Sequence, residues 1–364
     1  IFSNFATWKS DIGAFNTNAA AEILVKDKIF EQQEFIDSKI LMINLKKIKM
    51  KVLANDGLTL SGINALEEKG FTVITEKVPQ EELISYINAE KIRTLLVRSA
   101  TKVTKEIIDN CPSLQIIGRG GVGMDNIEVA YAREKGLHVI NTPAASSESV
   151  AELVFAHLFT GCRFLQDSNR KMPVSGQTEF AKLKKSYEKG LELRGKTIGI
   201  VGLGRIGQEV ARIALGLGMK VIASDLMIDK TSIRLDFQNN QYIDIEIVTE
   251  PFDEVIKQAD FITLHVPAQK SAIIGKEEIA KMKDGVALIN CARGGVIDEE
   301  ALIEALDAGK VSFAGLDVFV NEPTPSEKIL THPKISLTPH TGASTLEAQD
   351  RIGEELAMQV ASIL

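Results

Sequence analysis

The stretch at residues 197–210, TIGIVGLGRIGQEV, constrains the fold most. It places Gly202-x-Gly204-x-x-Gly207 between an apolar β-branched run and an amphipathic one. A strand that turns at once into a helix leaves backbone N–H groups converging on one point, where a pyrophosphate can sit. Gly202 permits the tight turn, Gly204 lets the backbone approach the phosphates, and Gly207 lets helix lie close on strand. The next apolar run, MKVIAS, ends in Asp225, eighteen residues past Gly207. A carboxylate there accepts hydrogen bonds from ribose hydroxyls and repels a 2′-phosphate, which predicts NAD rather than NADP as cofactor.

The same glycine spacing occurs a second time, in Gly118-Arg119-Gly120-Gly121-Val122-Gly123, after the apolar run LQII. The strand pattern that follows it, HVINT, ends in Asn141-Thr142 without an acid. Glycine spacing alone does not separate a nucleotide turn from an ordinary loop. Only the copy at 202–207 has its acidic partner, so the copy at 118–123 needs a different role.

From Met50 onward short apolar runs alternate with helical patterns. Strands are predicted at 51–55, 71–76, 94–98, 114–118 and 138–141, with helices at 59–69, 80–88, 104–110 and 126–135. A long apolar helix is predicted from Ser146-Ser147 to about Gln166, and a polar, Lys-rich surface loop with a short helix at 167–194. A second series follows, with strands at 197–202, 219–224, 260–266, 286–291, 313–318 and 335–338. Its helices are predicted at 206–216, 252–258, 275–283 and 298–308, and a final helix at 344–364 is too short to be a domain. Strand–helix repetition of this kind builds parallel sheets with right-handed crossovers. The expected fold is α/β, with two doubly wound parallel-sheet domains. A Rossmann dinucleotide domain (146–339) is inserted in a discontinuous, flavodoxin-like substrate domain (50–145 and 340–364), leaving a cleft between them.

Residues 1–49 lack this alternation, hold the only Trp (Trp8), and are interrupted by Asp11 and Glu22, which excludes a signal-peptide core. They are expected to form a poorly ordered extension. A formal net charge of −7 argues against nucleic acid as a partner. No apolar run reaches the ~18 residues needed to span a membrane. Three cysteines, Cys111, Cys162 and Cys291, without metal-like spacing suit a reducing cytoplasm and predict no metal site. The apolar helix 147–165 carries more Leu, Val and Phe than one core face requires, which predicts a homodimer.

Ligands of such sheets sit at the carboxyl ends of the strands, and three polar segments fall there. INCARGG (289–295) brings Arg293, whose planar fork pairs with a carboxylate when it is not spent on a surface ion pair. GLDVFVNEP (315–323) brings Asp317 and Glu322. TPHTGAST (338–345) brings His340 in a Pro/Gly-rich turn. An acid, an Arg and a His closing separate strands at one sheet edge suit hydride transfer at a 2-hydroxy acid. Arg293 would anchor the carboxylate, and the imidazole of His340 would exchange the hydroxyl proton. Glu322 would fix the imidazole tautomer, and Asp317 or the backbone at Cys291 would meet the nicotinamide carboxamide.

GLGRIG with Asp225, HVP (265–267), NCARGGVID, GLDVF with EP, and TPHTGAST together resemble the D-2-hydroxyacid dehydrogenase family over residues 50–364. VRSATKVT (97–104), IIGRGGVGMDN (116–126) and SVAELV (149–154) are most similar to its phosphoglycerate dehydrogenases. The resemblance implies Arg293, Glu322 and His340 as a catalytic trio. It implies an NAD site lined by Val122, Gly202, Gly204, Arg205, Ile206, Gly207, Asp225, Val266, Cys291, Ala292, Arg293, Asp317, His340, Gly342 and Ala343. It also accounts for the first glycine cluster: Arg119–Gly123, with Gly120 and Gly121 among the substrate-binding residues, would form a substrate loop whose backbone N–H groups meet the carboxylate. Arg98, with Ser99, and Arg119 become candidates for a substrate phosphate, or for structural ion pairs. The implied activity is NAD-dependent oxidation of 3-phospho-D-glycerate, the entry to serine, with reduction of glyoxylate, hydroxypyruvate or another 2-oxo acid as the alternative and an NAD-sensing binding protein as a remote one. Some relatives carry a C-terminal serine-sensing domain. None is expected here, and the 167–190 segment lacks an aromatic found in some of them.

Overall fold

The computed structural model describes residues 50–364; the extension expected at 1–49 lies outside the described residues. The first sheet contains β1 (Lys51–Ala54), β2 (Thr72–Ile74), β3 (Thr94–Val97), β4 (Ile116–Arg119) and β5 (His138–Asn141), all parallel, in spatial order β2-β1-β3-β4-β5. Helices α1 (Leu60–Glu68), α2 (Leu83–Glu90), α3 (Lys105–Asn110) and α4 (Val129–Glu134) make the crossovers that parallel pairing requires. Side chains alternate between the two faces. Leu53, Leu95 and Ile117 join one apolar cluster, while Val52, Leu96 and Ile116 join another that includes Ile352, Leu356 and Val360 near the C-terminus. Burial on both faces explains why β3 reads TLLV, with every residue covered.

Next come α5 (Ser147–Cys162) and α6 (Leu165–Ser186), then β6 (Thr197–Val201), α7 (Arg205–Gly216), β7 (Lys220–Ser224), β8 (Lys230–Asp236) and β9 (Tyr242–Val248). The chain continues through α8 (Phe252–Gln258), β10 (Phe261–Leu264), α9 (Lys276–Lys281), β11 (Val286–Asn290) and α10 (Glu299–Asp307). It ends with β12 (Val311–Leu316), α11 (Glu327–Thr331), β13 (Ile335–Leu337) and α12 (Leu346–Ile363). The second sheet has the parallel order β7-β6-β10-β11-β12-β13, the doubly wound arrangement expected of a Rossmann unit. Helix α12 returns to the first sheet and packs on α1, where Gly62 and Gly353 meet backbone to backbone. A Cβ on Gly62 would lie 2.7 Å from the Gly353 Cα.

Four parts of the chain depart from the sequence reading. Residues 167–194 are not mainly loop: α6 runs to Ser186, with a break at Glu179 (φ −120°, ψ 22°). Only Leu183 of this helix is buried, so no apolar stripe marks it. Its turns carry ion pairs at helical spacing, Lys171–Asp167 and Lys182–Glu179. An antiparallel hairpin, β8–β9, fills residues where no element was expected. Its alternation of Ile233 and Ile247 inward with Lys230, Arg234 and Glu246 outward was legible, as was the Asn239-Asn240 turn, where both residues have φ near +60°. Short α11 was also missed. Finally, α5 spends its apolar residues inside its own lobe, against the second sheet, with Val150, Val154, Phe155 and Leu158 all buried. Of α5 only Phe159 is an exposed large apolar side chain, whereas α6 exposes Leu165, Met172, Val174 and Phe180.

Candidate active site

The two sheets face each other across a cleft of about 470 Å³. Gly202 turns the chain at φ +96°, and its N–H donates to the Ser224 carbonyl (2.8 Å). A Cβ here would fall 2.5 Å from the His265 carbonyl oxygen, and one on Gly207 would fall 2.1 Å from that of Gly202. Gly204, the residue preceding α7, is different: a Cβ there would meet nothing within 4 Å. Open space thus lies against the N-terminus of a twelve-residue helix, whose first N–H groups have no intrahelical acceptor. A dinucleotide pyrophosphate fits this cradle. Asp225 is held beside it by three backbone donors: Leu203 N–H to Oδ2 (2.6 Å), and Met227 and Ile228 N–H to Oδ1 (2.8 and 3.1 Å). The carboxylate is thereby fixed at the strand end with lone pairs left for ribose hydroxyls.

On the same wall of the cleft, His340 Nδ1 lies 2.8 Å from Glu322 Oε2, and Glu322 Oε1 accepts the Phe319 N–H at 2.9 Å. His340 occupies the left-handed region (φ +55°), which is costly for a residue with a Cβ and needs surrounding support. Asp317 gives that support. Its backbone carbonyl accepts the His340 N–H (2.8 Å). Its carboxylate accepts from Thr338 Oγ1 (2.6 Å), Thr341 N–H (2.7 Å) and Gly342 N–H (2.9 Å). These bonds satisfy a carboxylate that is only 1% exposed.

Arg293 enters from a turn folded by buried Asn290, whose Nδ2 donates to the Arg293 carbonyl and whose Oδ1 accepts the Ala292 N–H. Its Nε donates to Asp125 across the cleft (3.1 Å), and its Nη1 donates to the Ala292 carbonyl (2.7 Å). Arg119 is largely covered, and among the described residues its Nε has no partner. Burial first, then the nearby Arg293 and Arg98 charges, lower its pKa to about 10, against the pull of Asp125. It remains a cation at neutral pH. The loop bearing Arg98 is tied down by Asp56, which accepts the Arg98 and Thr101 N–H groups, and by Asn126, which donates to the Arg98 carbonyl.

Arg98, Ser99, Arg119, Gly120, Gly121 and Val122 line the cleft from the first lobe. Arg205, Ile206, Val266, Cys291, Ala292, Arg293, Asp317, His340, Gly342 and Ala343 line it from the opposite wall. Gly202, Gly207, Asp225 and Glu322 stand behind that lining. One detail of the substrate loop is corrected. The Gly120 N–H is spent on the Val97 carbonyl (2.9 Å) and the Gly121 N–H on Thr142 Oγ1 (2.8 Å), so neither is offered to a ligand. Asp125, Gly123 and His265 were missed as site residues. Asp125 sits inside the quoted GVGMDN motif, and its charge beside two predicted arginines was the available signal. Burial lowers the His265 pKa to about 3, and it raises the Cys291 thiol well above its ordinary range, so both are neutral in the working range.

Residues 155–342 match the NAD-binding domain of the D-isomer-specific 2-hydroxyacid dehydrogenases. The chain belongs to this family. A hydroxypyruvate reductase of Thermotoga maritima is 43% identical over 318 residues, covering 86% of this chain and 97% of that protein. A D-3-phosphoglycerate dehydrogenase of Methanocaldococcus jannaschii is 42% identical over 317 residues. This dehydrogenase spans only 57% of that relative's length. Among solved structures, the NAD-bound 3-phosphoglycerate dehydrogenase of Entamoeba histolytica superposes with a TM-score of 0.67 at 28% identity, covering 86% of this chain and 95% of that one. The glycine cradle and Asp225 therefore belong to an NAD-binding domain, and no helix among the described residues is long and apolar enough to cross a membrane.

Proposed function

We propose that this dehydrogenase oxidises 3-phospho-D-glycerate to 3-phosphohydroxypyruvate, a first step toward serine. One observation carries the reading: Arg98, Arg119 and Arg293 line a single cleft, and among the described residues the covered Nε–H of Arg119 has no partner. A buried guanidinium without a partner is costly, and an anionic ligand relieves that cost. A substrate with a phosphate at one end and a carboxylate at the other uses all three cations, whereas a lone carboxylate leaves two idle.

In this reading residues 50–145 and 340–364 form the substrate domain and 146–339 the NAD domain. Arg293 anchors the substrate carboxylate through its unspent Nη2, with the Val122 and Gly123 N–H groups as the loop's available donors. Arg98 and Arg119 hold the phosphate, with Ser99 beside them. Glu322 accepts the Nδ1–H of His340, which leaves the Nε2 lone pair to take the hydroxyl proton as C2 is oxidised. Glu322 then stabilises the imidazolium. NAD, when bound, supplies the two-electron acceptor. Asp317 presents its remaining lone pair toward the carboxamide, and the backbones of Cys291, Gly342 and Ala343 complete that wall.

Reduction of hydroxypyruvate is the second reading, favoured by the relative that matches this chain over nearly its full length. A panel of 3-phosphohydroxypyruvate, hydroxypyruvate and glyoxylate followed by NADH absorbance separates the two. The phosphorylated substrate should have a kcat/KM at least ~100-fold higher, the scale of two charge-assisted contacts. Equal values would favour the unphosphorylated acid. We further propose a cytoplasmic homodimer to which the exposed apolar residues of α6 contribute.

A further inference from the structure

The packing of α5 on the second sheet is apolar, with Val154, Phe155, Leu158 and Phe313 in contact, except at His157. This imidazole is 2% exposed. The sheet makes room for it at Gly315, where a Cβ would lie 2.5 Å from the His157 Cβ. Two hydroxyls meet its ring: Ser336 Oγ is 2.8 Å from Nδ1 and Thr338 Oγ1 is 3.1 Å from Nε2.

The direction of these bonds follows from counting protons. The Asp317 carboxylate can only accept, so the single hydroxyl hydrogen of Thr338 goes to Oδ1, 2.6 Å away. Thr338 therefore accepts from His157, which places the ring proton on Nε2. Nδ1 then accepts from Ser336. Burial lowers the His157 pKa, against the opposing pull of Asp317, so the ring is neutral as this chain of bonds requires. The path runs Ser336, His157, Thr338, Asp317, and ends on the N–H groups of Thr341 and Gly342 beside His340.

We propose that His157 is a positioning residue: through Thr338 it locks the Asp317 carboxylate, and so holds the strained turn that presents His340. This rests on the reading of His340 as proton carrier. Neither hydrogen-bond partner of His157, Ser336 or Thr338, lines the cleft, so its effect reaches the site through Thr338 and Asp317.

The test is a double-mutant cycle of His157→Met and Thr338→Val, read by kcat and by the imidazole ¹⁵N signals of His340 and His157. Each single variant should lower kcat about 3–10-fold, the scale of one neutral hydrogen bond, and move the His340 titration. The double variant should be no worse than Thr338→Val alone. His157→Gln, which keeps a donor at the Nε2 position, should recover most of the loss. In the parent protein at pH 7.5 the His157 ring should be in the neutral Nε2–H form. Additive effects, a lowered Tm with unchanged kcat and unchanged His340 titration, or an Nδ1–H tautomer would overturn the proposal. His340→Gln tests the underlying reading separately. Should that variant keep full turnover, the proton-carrier role falls, while the His340 ring signal still decides whether His157 sets its turn.

Discussion

Gly123 has no room for a side chain: a Cβ there would come within 1.6 Å of Arg293 Nη2. Gly123→Ala must therefore displace the guanidinium that anchors the substrate carboxylate in the proposed mechanism. We expect kcat/KM to fall at least ~100-fold, the cost of losing a charge-assisted contact of about 3 kcal/mol, with the NADH Kd changed less than about threefold by fluorescence titration. His340→Gln keeps a polar group but loses the titrating nitrogen, so turnover should fall ~10²–10⁴-fold, again with NADH binding nearly intact. At Asp225 the expectation is on cofactor choice. Asp225→Ala removes the group that would repel a 2′-phosphate, so the NAD:NADP preference in kcat/KM should narrow at least ~10-fold. That Arg293, Asp317, Glu322 and His340 gather at one sheet edge was legible in the sequence, because each follows the carboxyl end of a strand. Which loop N–H groups are free was not legible, since Thr142 and Val97 claim the Gly121 and Gly120 donors only through tertiary contact.

Element by element, legibility followed burial. The strands of both sheets are covered on two faces and announce themselves as short apolar runs, and α7 does so by its apolar face and its glycine turn. Helix α6 does not, because its polar sides face outward and its apolar residues Val174 and Phe180 remain exposed. If those residues join two copies, the pair Val174→Ser and Phe180→Ser should move the gel-filtration peak from dimer to monomer. At the nucleotide turn, the Gly207→Ala Cβ would fall 2.1 Å from the Gly202 carbonyl oxygen, forcing α7 off β6. Loss of NADH binding should accompany a lowered Tm, whereas Gly204→Ala, with open space at its Cβ, should weaken binding while leaving Tm within about 2 °C.

Over the whole molecule, two buried neutral histidines set the acid limit. His157 and His265 both have folded-state pKa values below the ordinary 6.5, lowered chiefly by burial, that of His265 to about 3. Below pH ~6.5 the unfolded chain thus binds more protons than the folded one. For His265 the stabilisation is complete above that pH and is lost as pH falls toward 3, at up to ~1.4 kcal/mol per pH unit, and that of His157 is lost as pH falls through its own lowered pKa. Asp56 extends the loss at the low end. Burial raises its pKa, but hydrogen bonds from Lys77, Thr101 and the Arg98 and Thr101 N–H groups outweigh this and leave it lowered, so its contribution fades as pH drops below ~3.9. Urea unfolding between pH 4 and 8 should show the midpoint falling steadily below 6.5, and a flat midpoint would contradict buried neutral rings.

The polypeptide passes from one lobe to the other near Ser146 and passes back near Thr345. Where it does so, Ser149 Oγ and Thr345 Oγ1 are bonded at 2.7 Å, and Arg351 Nε donates to the Ala145 carbonyl at 2.9 Å. Two crossings fastened side by side behave like paired pins on a door: they leave one axis for swinging and resist twisting. Fastened in this way, the crossings hold Arg119 and His340 in facing positions on the two walls of the cleft.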